Sequence, residues 1–303
     1  MLRFTKPPMV LEIIRGFESF SVRFGKVVRV VEGAALEMLY RSNPIVGSNP
    51  TSSVMIDLQN KDCLQFLKEI PTESVDLVLV DPPYFEIVKN GWDNQWDSER
   101  EYLNWCKEWT QECHRVLKPN RCFCVWGTTK TDTFLRYKIE VLNGMGMEYQ
   151  NWIVWSYDWG GRSKKTFARK HEDLLIYSKG SEFLFNADAI RIPYKLNTNV
   201  RKTAVNNPLG KIPTDVWEKN NHTTSKEYCP WHPTQKPLSL LERLIKAYTN
   251  EGDTVLDCFS GSGSTAIAAK NCGRNFVGCE MSEEYWKKSL LRIQELTEGV
   301  LPV

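Results

Sequence analysis

With 303 residues, 42% hydrophobic content and 25% charged, the chain is long enough for one large folded domain plus an insertion, and its composition excludes a disordered or fibrous protein. A net charge of +2 excludes nucleic-acid binding driven by overall charge, so such a partner must be served by local basic patches. The nine cysteines lack paired Cys-x-x-Cys spacing and read as buried small hydrophobes of a reducing cytoplasm; no apolar stretch is long enough to span a membrane, and four histidines form no metal constellation.

Residues 1–54 look foreign to the rest. Gly16-Phe17-Glu18-Ser19 and Gly47-Ser48-Asn49-Pro50 can both be read, in different frames, from the nucleotide string GGTTCGAATCC, which resembles the T-arm of a transfer-RNA gene. The copies lie 31 codons apart (47 minus 16), roughly 93 nucleotides or one such gene with a spacer. The expectation is a leader translated from upstream tandem tRNA genes, with the start of the protein proper at Met55. A basic N-terminal arm is the competing reading.

From Met55 the pattern becomes regular. Met55–Gln59 reads as a short strand, and Cys63–Leu67 opens a brief helix with Asp62 as its N-cap candidate. The apolar, β-branched run Val75–Val80 then stops at Asp81-Pro82-Pro83-Tyr84, as a buried parallel strand stopped by two prolines would. Ligands of open α/β sheets bind outside the carboxyl ends of strands, so the residues after Val80 are presented for chemistry. A carboxylate, carbonyls fixed by locked proline φ angles and an aromatic face are suited to holding the N–H groups of an exocyclic base amine whose lone pair is otherwise delocalised. A base flipped out of a duplex would stack on Tyr84. The plain alternative is a strand-terminating turn.

Gly91–Asp97 is a loop with Trp92 and Trp96, one of which is expected to pack into the core and either of which can close over the site or join a subunit interface. Ser98–Leu117 has apolar residues at helical spacing and ends at Lys118-Pro119-Asn120; a strand over Cys122–Trp126, a helix over Thr131–Asn143 and strands over Glu148–Trp155 and His171–Ser178 come next. Arg162, Lys164, Lys165, Arg169 and Lys170 make a basic loop suited to phosphates, or a solvated charge run. Residues 186–230 lose alternation and are rich in Asn, Lys, Thr and Pro, a polar insertion of the length that is functional or disordered.

Leu238–Thr249 is an amphipathic helix. Thr254–Asp257 reads as a strand leading into Cys258-Phe259-Ser260-Gly261-Ser262-Gly263-Ser264-Thr265 and a small-residue helix, a glycine turn that lets a ligand approach the backbone. Without Gly-Lys-Ser/Thr it is no triphosphate loop. The strand Asn275–Glu280 ends in an acid suited to a ribose diol, and a last helix covers Tyr285–Leu296. Strands alternating with helices imply a mostly parallel α/β sheet covered on both faces.

Asp81-Pro82-Pro83-Tyr84, then His232-Pro233-Thr234-Gln235-Lys236-Pro237, then the glycine loop closing on Glu280 resemble, in this order, the permuted amino-methylating DNA methyltransferases of the N6-adenine/N4-cytosine family. The resemblance implies a Rossmann-like sheet that binds S-adenosylmethionine, with a target-recognition insertion at 186–230. It places Asp62 at the cofactor's adenine, Asp257, Phe259, Gly261 and Gly263 around its methionine part, Thr234 and Lys236 near its carboxylate and Glu280 on its ribose. It implies double-stranded DNA as partner, homodimerisation, a bacterial or phage-encoded cytoplasmic enzyme, and an orphan modifier if the leader is real. Asp at position 81 favours adenine N6, since many cytosine members carry Ser there. N4-cytosine transfer and a catalytically silent DNA-binding module stay as alternatives.

Overall fold

The computed structural model describes residues 54–87, 92–158, 163–194, 207–218 and 227–298. Of the expected leader only Val54 falls among them, and Arg162 and parts of the 186–230 insertion lie outside them.

Eight strands form one sheet: β1 (Ile56–Asn60), β2 (Val75–Val80), β3 (Leu117–Gly127), β4 (Glu148–Ser156), β5 (His171–Ser178), β6 (Val216–Glu218), β7 (Thr254–Asp257) and β8 (Asn275–Glu280), in the order β1-β8-β7-β2-β3-β5-β4-β6. The first five in that order run parallel, and β5 alone reverses, pairing antiparallel with both β3 and β4. The sheet is therefore mixed, with the expected parallel part running from the β1 edge to β3. All six residues of β2 are buried, and its two faces separate by strand period: Val78 and Val80 enter one core, Leu77 and Leu79 the other.

The first core is roofed by α1 (Cys63–Glu69) and α2 (Glu99–Val116), through Phe66, Leu67, Leu103, Trp109 and Cys113. Ser98 caps α2 by accepting from the Glu101 amide at 3.2 Å, and Leu117 turns directly into β3. The expected single helix at Thr131–Asn143 is three short pieces instead: α3 (Thr133–Arg136), a wide π turn at Tyr137–Val141 and a tight 3-10 turn at Leu142–Gly144. Asp132 supplies no capping bond, and the buried Tyr137 hydroxyl is tied to Thr110 Oγ1 at 2.8 Å, so packing sets this backbone in place of propensity. The second core lies under α4 (Leu238–Tyr248), α5 (Ser264–Asn271) and α6 (Glu283–Glu298), through Leu240, Leu241, Leu244, Ile267 and Ile293. All nine cysteines are free and buried; Cys122 and Cys124 pack side by side on one face of β3 as their alternation implies.

In the 186–230 stretch, a 3-10 turn at Ala187–Ile190, an Ile192–Lys211 bridge and β6 on the parallel edge of β4 are described. Among the described residues no helix is long and apolar enough to cross a membrane.

Candidate active site

The parallel strands β1, β8, β7, β2 and β3 all end at the same edge of the sheet, where β7 and β2 lie side by side while their chains turn to opposite sides. That crevice is where an open α/β sheet receives its ligand. It opens into a cavity of about 710 Å³. Because β5 is antiparallel, its beginning reaches this edge too: Asp173 pairs with Gly127 at the end of β3.

At the end of β2, the Tyr84 hydroxyl donates to Asp81 Oδ1 at 2.6 Å and the Tyr84 amide donates to Asp93 Oδ1 at 2.8 Å. The Pro83 carbonyl accepts from the Tyr102 hydroxyl at 3.1 Å, which fixes the turn to α2. The ammonium of Lys236 donates to Asp81 Oδ2, reaches Glu172 Oε2 at 3.0 Å and lies 5.4 Å from the Trp126 ring centroid. Burial, then the Asp81 charge, push the Tyr84 hydroxyl well above the usual phenol range, so it stays a donor.

The glycine loop builds the other half. Gly261 and Gly263 adopt φ of +49° and +74°, which favours glycine, and a Cβ on Gly261 would stand 2.7 Å from His232 Nε2. Glu280 accepts from the Gly261 amide through Oε2 at 2.9 Å and from the Ser282 amide through Oε1 at 2.8 Å. Asp257 Oδ1 accepts from the Phe259 amide at 2.9 Å, yet burial pushes its carboxyl up to about 7. Burial likewise raises Glu280 and lowers His232 to about 4.

These residues fit a bound nucleoside cofactor with a cationic part. Ser260 Oγ and His232 Nδ1 line the cavity buried and without a hydrogen-bond partner, and a buried carboxyl at Asp257 invites positive charge. Glu280 keeps lone pairs beyond its two amide bonds for a diol.

One cavity gathers Asp62, Asp81, Pro82, Pro83, Tyr84, Arg169, Thr234, Lys236, Asp257, Phe259, Gly261 and Glu280. Asp62 also caps α1, accepting from the Leu64 and Gln65 amides at 2.9 and 3.2 Å, while it lines the cavity. Gly263 stands behind the loop against Ser289 and Ile293 instead of lining the cavity. Lys236, expected near the cofactor's carboxylate, makes its ion pairs with Asp81 and Glu172. In the basic loop Lys164 and Lys165 are exposed, while Lys170 donates to the Asp158 carbonyl at 2.9 Å. Trp96 packs on Tyr102 and Trp105, whereas Trp92 faces the cavity. The sequence reading missed Asp93, Trp126 and Glu172 as site residues; the apolar run Leu174–Tyr177 that follows Glu172 marked it only as the start of a strand.

The sequence profile of the N6/N4 DNA methylases matches residues 75–290. The chain belongs to this DNA methylase family. Its methyl donor is accordingly S-adenosylmethionine. The methylase is 34% identical over 259 residues to the type II methyltransferase M1.MboII of Moraxella bovis, covering 79% of this chain and 96% of that one. It is 37% identical over 244 residues to the DNA adenine methyltransferase YhdJ of Escherichia coli (strain K12), covering 77% and 80%. Among solved structures it shares the fold of PvuII DNA methyltransferase (cytosine-N4-specific), with a TM-score of 0.62, 20% identity and coverage of 81% and 93%. The M1.HpyAVI–SAM complex matches with a TM-score of 0.56, 24% identity and coverage of 79% and 99%.

Proposed function

We propose that this methylase modifies the exocyclic N6 of adenine at a specific site in duplex DNA, acting on a base flipped out of the helix. The observation that carries this reading is the Asp81 carboxylate at the end of β2, in one cavity with Asp257 and Glu280. S-adenosylmethionine, when bound, supplies an electrophilic methyl group. Asp257 and Glu280 would hold its cationic and ribose parts, and Asp62, Thr234, Phe259 and Gly261 would complete its walls. Asp81 accepts a hydrogen bond from the target amine and draws its lone pair out of the ring, while the turn fixed by Pro82 and Pro83 supplies a second acceptor. The Tyr84 ring offers a stacking face, with its orientation set by the bond to Asp81. Much of the rate enhancement on this account is proximity and orientation.

Adenine is favoured by Asp at position 81 and by the similarity to a relative named as an adenine methyltransferase. Lys164, Lys165 and Arg169, with Arg162 and Lys170, are proposed to meet DNA phosphates beside the cavity mouth, and residues 186–230 to read the bases. A DNA substrate and nine free thiols argue for a cytoplasmic site of action. Homodimerisation is tested by the mass in solution, where a monomer would contradict it.

The test is to express the chain in a host lacking its own DNA methylases and to map modified bases along the genome. N6-methyladenine confined to one short motif, and absent with Asp81→Ala, is expected. N4-methylcytosine in its place would move the assignment to cytosine.

A further inference from the structure

Glu172 and Asp173 are neighbours on β5 and meet opposite fates. Asp173, 2% exposed, is fully engaged: it accepts from Thr129 Oγ1 at 3.0 Å, from the Thr129 amide at 3.3 Å and from Trp152 Nε1 at 2.7 Å. Glu172 points to the opposite side, into the cavity, and its Oε2 is buried without an aligned hydrogen bond. Its one close partner there is the Lys236 ammonium at 3.0 Å. Where Asp173 is held by three donors, this buried oxygen of Glu172 is held by the one ammonium alone, so its place in the cavity is tied to Lys236.

Lys236 is 5% exposed and sits between two carboxyl groups; burial pushes the Glu172 carboxyl up and the Lys236 charge opposes this, and with both carboxyls ionised the group carries one net negative charge, two carboxylates less one ammonium. Burial pulls the Lys236 ammonium down, but Asp81 and Glu172 together hold it above its usual range, and it stays charged. With Asp81 alone the pair would be neutral, and the ammonium would draw off the electron density that the target amine needs. Tyr84 already occupies Asp81 Oδ1. Tyr157, His232, Asp257, Asp173 and Arg169 are further ionisable groups around the cluster, and the ion pairs of Lys236 are with Asp81 and Glu172.

We propose that Glu172 is a positioning residue for methyl transfer: it shares the Lys236 ammonium with Asp81 and thereby keeps the Asp81 carboxylate a strong acceptor for the target amine. This rests on the assignment of amino-group methyl transfer to the site. Its effect falls on the chemical step, through Lys236 and Asp81.

The full-length chain is compared with Glu172→Gln, Glu172→Asp, Lys236→Gln and the double variant Glu172→Gln/Lys236→Gln. Single-turnover methyl transfer, cofactor Kd and DNA Kd are measured for each. Loss of one of the two charges that share the Lys236 ammonium is expected to lower the single-turnover rate of Glu172→Gln about 30-fold, with both Kd values within about 3-fold of wild type. Glu172→Asp is expected to recover most of the rate, and it carries the comparison if Glu172→Gln melts early. In the Lys236→Gln background the Glu172→Gln change is expected to cost less than about 3-fold, because the shared ammonium is gone. A Glu172→Gln rate equal to wild type, or the same loss with and without Lys236, would overturn the inference while leaving the parent reading intact. A wild-type chain that binds cofactor and DNA but transfers no methyl group would overturn the parent reading itself.

Discussion

Trp92 stacks on His232, ring centroids 5.7 Å apart and planes 11° from parallel, so the loop after the Asp81–Tyr84 turn closes against the segment that leads into α4. Tyr285 meets both rings edge-on. Burial holds His232 at about 4, well under an ordinary imidazole, and the ring is neutral at pH 7. NMR titration of its ring protons is expected to give a midpoint near pH 4 in the wild type and a higher one in Trp92→Ala, where the burial is relieved. Loss of an aromatic wall is expected to weaken cofactor binding about 5- to 10-fold in the same variant. An unchanged midpoint and affinity would count against the stack.

Asp257 makes stability depend on pH. Its folded-state value, about 7, lies above the ordinary 3.8, so its contribution is fully present below pH 3.8 and is lost as pH rises through 7. The ligand-free protein is therefore expected to melt lower at pH 8 than at pH 5.5 from this group. Asp257→Asn should remove that slope and raise the pH 8 melting point by about 2–4 °C, the shift that roughly 1 kcal/mol gives in a domain of this size. The same variant should bind S-adenosylmethionine more weakly, and calorimetry would show it. A variant with unaltered slope would assign the pH dependence elsewhere.

Arg292 ties α6 to the glycine loop. It is 6% exposed and donates to the Ser262 carbonyl at 2.7 Å, to Ser264 Oγ at 3.0 Å and to the Glu227 carbonyl at 2.8 Å. Removing it takes the guanidinium from the Ser262 carbonyl and leaves the Glu227 carbonyl and Ser264 Oγ only their other partners, Gln235 Nε2 at 2.7 Å and Ser262 Oγ at 3.0 Å. Arg292→Ala is expected to lose about 3 kcal/mol of stability in denaturant unfolding, within the range for breaking a buried charged network. A loss under about 1 kcal/mol, on the same scale, would show that water replaces the guanidinium.

The sheet's centre was legible because β2 is six consecutive buried residues closed by two prolines, and the strand ends at Asp81 and Glu280 carry the site. The features that escaped depend on partners far along the chain. Asp76 reads as a polar interruption in β2, but it is 2% exposed because Lys118 and Arg121 reach it at 2.9 and 3.1 Å. β3 begins at Leu117 instead of near Cys122, since Leu117 pairs with Val75 across an irregular register. Glu172 was invisible as a site residue because only the reversal of β5 brings its first residues to the ligand edge. β6 is three residues long, too short for any period to show.

Lys164 and Lys165, exposed beside the cavity mouth, should make DNA affinity fall with salt. Replacing both by Ala is expected to lower the slope of log K against log salt by about 2, one per phosphate contact, with little change in which sequence is preferred. An unchanged slope would leave the loop as solvated surface.

The most direct measurement incubates the purified full-length protein with S-adenosylmethionine carrying a labelled methyl group and unmethylated duplex DNA, then digests the DNA and separates the nucleosides. The expected result is label in N6-methyladenosine's deoxy form alone, abolished by Asp81→Ala while the variant still binds cofactor. Label in no nucleoside, from a protein that binds both cofactor and DNA, would contradict catalysis at Asp81.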